Sequence, residues 1–245
     1  MTSRPSGLTS KLRRIQFSIA STGIRRGLAD LGTLLLKYQP DRDHAFDRHF
    51  DTDTAGSVAT TGLGIADADT REQAILYLPS PPRVTRWMLD NIGIDHHEFS
   101  FVDLGCGKGR VLLVATQYPF QKVVGVEVSA ALAAIARANA VRYSPRSRKC
   151  RDVQVENIDA TKYEFPESDL LIHLYHPFES KLLTAVLSRL EASVNAKPRK
   201  VVVAYLLYAS ATESVESVFS RFPWLKQTRS EQSVLGHYDW LFYST

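Results

Sequence analysis

The chain has 245 residues, of which 44% are hydrophobic and 23% are charged, ordinary values for one globular domain with a short extension. Its two cysteines, Cys106 and Cys150, exclude a disulfide framework, so a reducing compartment, the cytoplasm, is expected. The longest fully apolar run, residues 201–209, is too short to cross a bilayer as a helix. No cysteine–histidine cluster has the spacing of a zinc site, and no metal is expected.

The positive charge of the chain is concentrated at its N-terminal end. The net charge is +4, but residues 1–37 hold seven bases and one acid, which leaves a net charge of −2 for the rest. The charge of the main domain therefore gives no reason to expect nucleic-acid binding.

Residues 8–36 carry leucine and isoleucine at helical spacing, and Gly23 interrupts the run. We therefore predict a basic helical N-terminal extension over residues 1–45, which packs on the following domain or over its cleft. Two alternatives stay open. One apolar face with basic flanks also suits a peripheral membrane contact through residues 8–36. The first 29 residues contain no acid, which also fits an organelle presequence.

Residues 40–82 show no long periodic pattern and are rich in aspartate, threonine, glycine and proline. A loop region of this length inside a compact chain is usually either functional or disordered. We therefore predict a loop here, with short ordered stretches such as residues 75–78.

From residue 83 onwards, apolar strands alternate with helical patterns. This alternation predicts parallel strands with right-handed crossovers, and near-continuous apolar strands indicate a sheet covered on both faces. We predict an α/β fold, a Rossmann-like seven-stranded, mostly parallel sheet with an antiparallel last strand and helices on both faces. The predicted strands are residues 99–104, 122–128, 152–158, 169–175, 200–208, 224–229 and 237–243.

A glycine-rich loop follows the first predicted strand. Asp103 ends that strand, and Gly105, Gly107 and Gly109 follow at every second position before a helix begins. Glycine permits positive φ and close approach of a ligand to the backbone, here at a helix N-terminus. The dinucleotide-binding pattern requires glycine at position 110, which is arginine, and the phosphate-binding G-x-x-x-x-G-K-[ST] pattern is absent.

The pattern D-x-G-x-G-x-G resembles the first motif of the class I S-adenosylmethionine-dependent methyltransferases. The resemblance covers residues 46–245, which we predict to form one methyltransferase domain, and it implies S-adenosyl-L-methionine as the cofactor. The residues of the loop that would bind the cofactor are Asp103, Gly105, Cys106, Gly107 and Gly109.

The ends of the next two strands supply further candidate cofactor residues. Glu127 ends the second strand, 20 residues after Gly107 and beside Val128, and its carboxylate can accept both ribose hydroxyls of an adenosine. In the family that the chain resembles, the position of Asp159 and Ala160 contacts the adenine.

Two upstream elements also resemble methyltransferases. Phe46-Asp47 and Asp53-Thr54-Ala55-Gly56 are similar to an element of a bacterial subgroup of methyltransferase-domain proteins. The turn from Tyr77 to Pro81 is similar to that of lysine methyltransferases such as the ATP synthase c-subunit enzymes. By that analogy, Tyr77 and Ser80 would contact the methionine end of the cofactor.

The fourth predicted strand ends with the candidate catalytic residues Tyr175, His176 and Phe178, at a place where the family delivers residues to the transferring methyl. Many N-methyltransferases have Asn or Asp where this chain has His176. An imidazole can remove a proton as well as position an acceptor, or it can merely line the pocket.

These features predict a methyltransferase that acts on a small-molecule or protein acceptor, with an amine suggested by the resemblance alone. The alternative is a cofactor-binding scaffold or regulatory pseudo-methyltransferase without turnover. The glycine spacing argues against a nicotinamide-dependent oxidoreductase. We expect a monomer or a dimer.

Overall fold

A computed structural model describes residues 40–59, 62, 64, 77–208, 212–232 and 238–245. The predicted helix over residues 8–36 lies outside the described residues. The division into an extension of residues 1–45 and a domain of residues 46–245 therefore stays a prediction.

Seven strands form a single sheet in the order β3-β2-β1-β4-β5-β7-β6. Strands β1 to β5 pair in parallel, whereas β7 is antiparallel to both β5 and β6. The predicted fold class is confirmed. The strands are β1 (Phe99–Leu104), β2 (Val123–Val126), β3 (Val153–Glu156), β4 (Asp169–Tyr175), β5 (Val201–Tyr208), β6 (Lys226–Gln232) and β7 (Tyr238–Ser244).

Helices or short 3₁₀ turns connect the parallel strands. The helices are α1 (Pro40–Phe50), α2 (Pro82–Asn91), α3 (Arg110–Ala115), α4 (Ala130–Arg142), α5 (Ser180–Ala196) and α6 (Thr212–Phe219), with short 3₁₀ turns at His96–Glu98 and Ala160–Lys162. Helix α4 begins after Ser129, whose hydroxyl accepts from the backbone N–H of Leu132.

The two central strands bring polar side chains together in a largely apolar core. All six residues of β1 are buried, as expected for a strand covered on both faces. In the parallel pairing of β1 with β4, Asp103 lies beside His173. Residues alternate between the two faces of a strand, so Leu171, His173 and Tyr175 share one face of β4.

The loop prediction for residues 40–82 is wrong at its beginning, where α1 occupies Pro40–Phe50. Phe46 and Phe50 stack on each other and on Tyr143, with ring centroids 4.8–6.0 Å apart. Two apolar positions one turn apart are too few to form a visible periodic pattern. The helix is stabilised by a contact with α4, nearly 100 residues later along the chain.

The carboxylate of Asp47, near the end of α1, organises the chain that follows. Its two oxygens accept from Thr52 Oγ1, Thr54 N, Thr54 Oγ1 and Ala55 N at 2.5–2.9 Å. Burial alone would raise the pKa of Asp47, but the hydrogen bonds, led by those from Thr54, together hold the pKa below its ordinary value. The charged carboxylate therefore stabilises the turn over residues 51–55.

Asp47→Asn should lower the free energy of unfolding by about 1–3 kcal/mol, because an amide N–H₂ then faces backbone N–H donors. The folded-state pKa is depressed, so this contribution is present above the unfolded-state pKa and is lost as the pH falls through the folded value. Denaturant unfolding at neutral and acidic pH measures both effects. Asp51→Asn, at an exposed site close by, is the matched control. Equal losses for the two variants would contradict the role of Asp47.

Candidate functional site

The candidate site is a cavity, open to solvent, at the carboxyl ends of β1, β2 and β4. Twelve of the fourteen residues predicted from the sequence line it, and Gly109 and His176 do not. The predicted residues that line the cavity are Tyr77, Ser80, Asp103, Gly105, Cys106, Gly107, Glu127, Val128, Asp159, Ala160, Tyr175 and Phe178.

The glycine loop requires glycine for two distinct reasons. Gly105 and Gly107 have φ of +78° and +55°, the left-handed region that other residues rarely adopt. A Cβ atom on Gly105 would lie 2.5 Å from Cβ of Pro177, and one on Gly107 would lie 2.2 Å from the ring of Tyr77. Pro177 and Tyr77 thus leave no space for a side chain at either position, and the backbone of both glycines lines the cavity.

Gly109 has a packing role rather than a place in the cavity wall. It precedes α3 with φ of +85°, and a Cβ atom there would lie 3.1 Å from Cβ of Ala136 on α4. Cys106 lines the cavity and is buried, and burial raises the pKa of its thiol well above the ordinary value, with Glu127 adding to the shift. Cys106 is therefore a neutral thiol and a poor nucleophile.

Glu127 is the buried acid at the end of β2. One carboxylate oxygen accepts from Gly107 N at 2.9 Å and the other from Ser129 N at 2.8 Å. Burial raises the pKa of Glu127, and these two backbone donors oppose the shift. Each carboxylate oxygen has a second lone pair, so Glu127 can still accept two hydroxyl hydrogen bonds from a ribose.

The end of β3 closes the cavity beside Glu127. Asp159 accepts from the backbone N–H and the hydroxyl of Thr161, both at 2.8 Å, and so begins a 3₁₀ turn at Ala160. Apolar side chains that the sequence did not single out, Ile158 and Leu132, also line this end. An aromatic base of a ligand fits between such walls.

Residues 51–58 and Tyr77 lie against the glycine loop. The Tyr77 hydroxyl donates to the carbonyl of Thr54 at 2.7 Å, and Tyr77 pairs with Val58 through two backbone hydrogen bonds. Lys108 Nζ, inside the loop, lies 2.8 Å from a carboxylate oxygen of Asp53 and also donates to the carbonyl of Ala55. Lys108 therefore anchors the upstream segment.

Arg110 is a charged residue of the cavity wall and is only 2% exposed. Its Nε donates to Thr54 Oγ1 at 2.7 Å, and its guanidinium lies 5.5 Å from the ring centroid of Phe46. A buried guanidinium at the N-terminus of a helix favours an anionic group in the adjacent cavity.

The end of β4 forms the remaining wall through Tyr175, Pro177 and Phe178. His176 has φ of +37°, and its Nδ1 lies 3.3 Å from the Tyr205 hydroxyl. Burial lowers the pKa of His176, and the negative charge of Glu179 partly offsets this. The structure thus places His176 against β5, outside the cavity lining.

His173 is a cavity residue that the sequence analysis missed. Its Nδ1 lies 2.7 Å from Asp103 Oδ1, and both side chains are buried. The sequence carried one indication of it, a single histidine in the otherwise apolar run of β4. The partner of this histidine becomes evident only from the register between β1 and β4.

The described residues contain no group of three or more His, Cys, Asp or Glu side chains that could hold a metal ion. No helix within them is both long and apolar enough to span a membrane.

Comparisons with known proteins agree with this geometry. Residues 101–196 match the Methyltransferase domain family. A protein-lysine N-methyltransferase of Saccharolobus islandicus (strain REY15A) is 37% identical over 54 residues, which are 22% of this chain and 33% of that relative. The match thus spans about a third of the length of the curated relative.

Two solved structures illustrate the likeness of fold. A SAM dependent methyltransferase from Aquifex aeolicus is 16% identical and covers 67% of this chain and 93% of its own, with a TM-score of 0.51. A putative RNA methyltransferase, PH1948, from Pyrococcus horikoshii is 15% identical and covers 68% of this chain and 86% of its own, with a TM-score of 0.50. The family match over residues 101–196, the strand order and the glycine loop agree with a methyltransferase domain of the class I S-adenosylmethionine-dependent fold, whose cofactor is S-adenosylmethionine.

Proposed function

We propose that the chain transfers the methyl group of S-adenosylmethionine to an amine nitrogen of a protein, with a lysine side chain as the acceptor. The observation that carries the proposal is the single cavity shared by the glycine loop, Glu127 and the aromatic end of β4. The partial likeness to a protein-lysine methyltransferase supports the choice of acceptor.

The residues of the cavity fit the cofactor along its length. Glu127 would accept the ribose hydroxyls, and Val128, Asp159 and Ala160 would hold the adenine. Tyr77, Ser80 and the loop would face the methionine end, with Arg110 supplying positive charge for a carboxylate. S-adenosylmethionine supplies a methyl group on a positively charged sulfur.

The acceptor would enter beside Tyr175, Pro177 and Phe178. Aromatic faces attract an ammonium or a cationic methyl, and Pro177 has no N–H that would compete for the lone pair of an amine. The residues of this wall orient the amine and exclude water, and alignment of the two reactants supplies much of the rate enhancement.

His176 would shape this wall and would not serve as the base, because it lies outside the cavity lining. Asparagine tolerates a left-handed backbone better than other side chains do. We therefore expect His176→Asn to keep methyl transfer within about threefold of wild type, and His176→Ala to lose more through backbone strain. Loss of about 100-fold in both variants, with unchanged cofactor affinity, would instead identify His176 as a general base.

Labelling of host-cell protein tests the proposed reaction. The purified chain is incubated with methyl-labelled S-adenosylmethionine and a host-cell extract, and the labelled amino acid is identified after complete hydrolysis. We expect methylated lysine, and about 10- to 150-fold less label with Glu127→Ala at a cofactor concentration below the wild-type dissociation constant. Label confined to small molecules or RNA would contradict the acceptor class, and intact cofactor binding without transfer would contradict turnover.

A further inference from the structure

A groove at one edge of the sheet lies apart from the cofactor cavity. It runs between α4, the chain that follows α4, and strand β3, and among the described residues it shares no lining residue with the cavity. The proposed reaction therefore makes no use of it. The residues that line the groove are Arg137, Ala140, Val141, Arg148, Arg151, Val153 and Val155.

The groove lies in a strongly basic part of the domain. Residues 128–151 contain six bases and no acid, whereas the chain after residue 37 has a net charge of −2. None of these six bases forms a salt bridge with another described residue. The positive charge is therefore local and uncompensated. The bases are Arg137, Arg142, Arg146, Arg148, Lys149 and Arg151.

The acid of strand β3 lies on the face away from the groove. Burial alternates along this strand, with Val153 and Val155 half-buried and Gln154 and Glu156 exposed. Successive side chains of a strand point to opposite faces, so the valines face α4 and Glu156 faces away from it. The groove wall, as far as the structure describes it, thus holds three arginines and no carboxylate.

Strand β3 is an edge strand, so one row of its backbone groups is not paired within the sheet. The carbonyls of Asp152 and Glu156 accept from the chain of β2. The direction of backbone hydrogen bonds alternates along a strand, so the groups of Val153 and Val155 point outward. The Val155 carbonyl accepts from Arg137 Nε at 3.0 Å. The N–H groups of both valines have no partner in the described part of the chain.

We propose that the groove binds an extended acidic segment of a partner protein, which pairs with the outer edge of β3 and directs its carboxylates at the arginines. Strand addition would use the unpaired backbone groups of β3. Acidic residues at every second position of such a segment share one face, where they meet the guanidinium groups. The side chain of Val141, which is 83% exposed, offers apolar surface beside them.

The composition of the groove favours a polypeptide over a nucleic acid. Single-stranded nucleic acids stack their bases on aromatic rings, and no aromatic side chain of the described residues lines the groove. Four of its seven lining residues are aliphatic, which a phosphate backbone would not cover. Unpaired backbone groups of an edge strand are suited to a second polypeptide chain.

Charge also argues against occupants from the same protein. Residues 1–37 hold seven bases and one acid, so they would be repelled by the groove. The same edge of a second copy would bring arginines against arginines. The partner is therefore a different, acidic polypeptide. This surface is separate from the cavity, so the proposal goes beyond the proposed function and does not depend on it.

The binding of three synthetic peptides to the wild-type chain tests the proposal. The first peptide alternates glutamate and threonine over about eight residues, a common strand length, and carries a fluorescent label. The second has lysine in place of glutamate, and the third keeps glutamate but has a methyl group on every backbone nitrogen. We expect fluorescence anisotropy at low salt to show the first peptide binding about 10-fold or more tightly than either of the others.

Arg151→Glu tests the charge of the groove. The Arg151 side chain lines the groove and is exposed, so the substitution should leave the fold intact. We expect about 3- to 30-fold weaker binding of the glutamate peptide and tighter binding of the lysine peptide. Arg148 is unsuitable, because it donates to carbonyls at the end of α4. Lys226→Glu, at an exposed base of the opposite edge strand β6, is the matched control and should bind both peptides as the wild type does.

Three results would overturn the proposal. Equal affinity for the N-methylated peptide would show that charge alone, without strand addition, drives binding. A duplex RNA that binds more tightly than the glutamate peptide, and more weakly to Arg151→Glu, would assign the groove to nucleic acid. No binding of the glutamate peptide would leave the arginines as charges that keep exposed sheet edges apart. The peptide comparison needs only the wild-type chain and no methyl transfer, so its outcome is independent of the variants and of the proposed function.

Discussion

Gly107→Ala should weaken the binding of S-adenosylhomocysteine by about 100-fold or more, because the added Cβ would displace the Tyr77 side chain from the cavity wall. The new Cβ would lie 2.2 Å from the Tyr77 ring, which is held by its hydroxyl bond to Thr54. Displacement of Tyr77 would break that bond and disturb the cavity wall. Calorimetric titration measures the loss.

Gly93→Ala is the matched control for Gly107→Ala. Gly93 has a similarly positive φ of +74°, but no atom lies within 4 Å of the position of its Cβ. We expect it to lower the free energy of unfolding by about 1–2 kcal/mol and to leave cofactor affinity unchanged. Wild-type affinity in Gly107→Ala would contradict the close approach of a ligand to the loop.

Glu127→Ala should lower the affinity for S-adenosylhomocysteine by about 10- to 150-fold, the equivalent of 1.5–3 kcal/mol for hydrogen bonds to a charged group. The variant would lose the ribose contacts and also the hydrogen bonds that hold Gly107 N and Ser129 N in place. Glu156→Ala, at an exposed acid that ends the neighbouring strand β3, is the control and should bind normally.

The pH dependence of binding gives a second test of Glu127. Burial raises the pKa of this carboxylate, so protonation begins at a higher pH than for an exposed glutamate. As the pH falls through the raised value, the wild-type protein should lose affinity, whereas Glu127→Gln should bind weakly with little dependence on pH. Unchanged affinity in Glu127→Ala with an intact fold would make Glu127 a structural residue alone.

The parallel part of the sheet was predictable because β1, β2, β4 and β5 are short, largely apolar runs. Strands β1 and β4 have the predicted bounds, and the antiparallel end of the sheet was predictable because no helical pattern separates the last two strands in the sequence. Helix α1 was not predictable from periodicity, since its two aromatic residues pack on Tyr143 of a distant segment.

The residues of the cavity wall were predictable where they lie at the carboxyl end of a parallel strand, as Glu127 and Asp159 do. The direction of the His176 side chain was not predictable, because it depends on a left-handed backbone conformation that no local pattern indicates. The place of His173 in the cavity wall depends on the register between β1 and β4, which pairs it with Asp103, 70 residues away in the chain. Such long-range pairings emerge only when the sheet is assembled.

The most direct test of the central claim is the thermal stability of the purified protein with S-adenosylhomocysteine and, separately, with NAD. A ligand at 100 times its dissociation constant stabilises the folded state by about 2.7 kcal/mol, so S-adenosylhomocysteine at that excess should raise the melting temperature, and the shift should grow with the logarithm of its concentration. NAD at the same concentration should leave the melting temperature unchanged. Stabilisation by NAD alone, or no response to S-adenosylhomocysteine, would contradict the assignment of the cavity as a methyl-donor site.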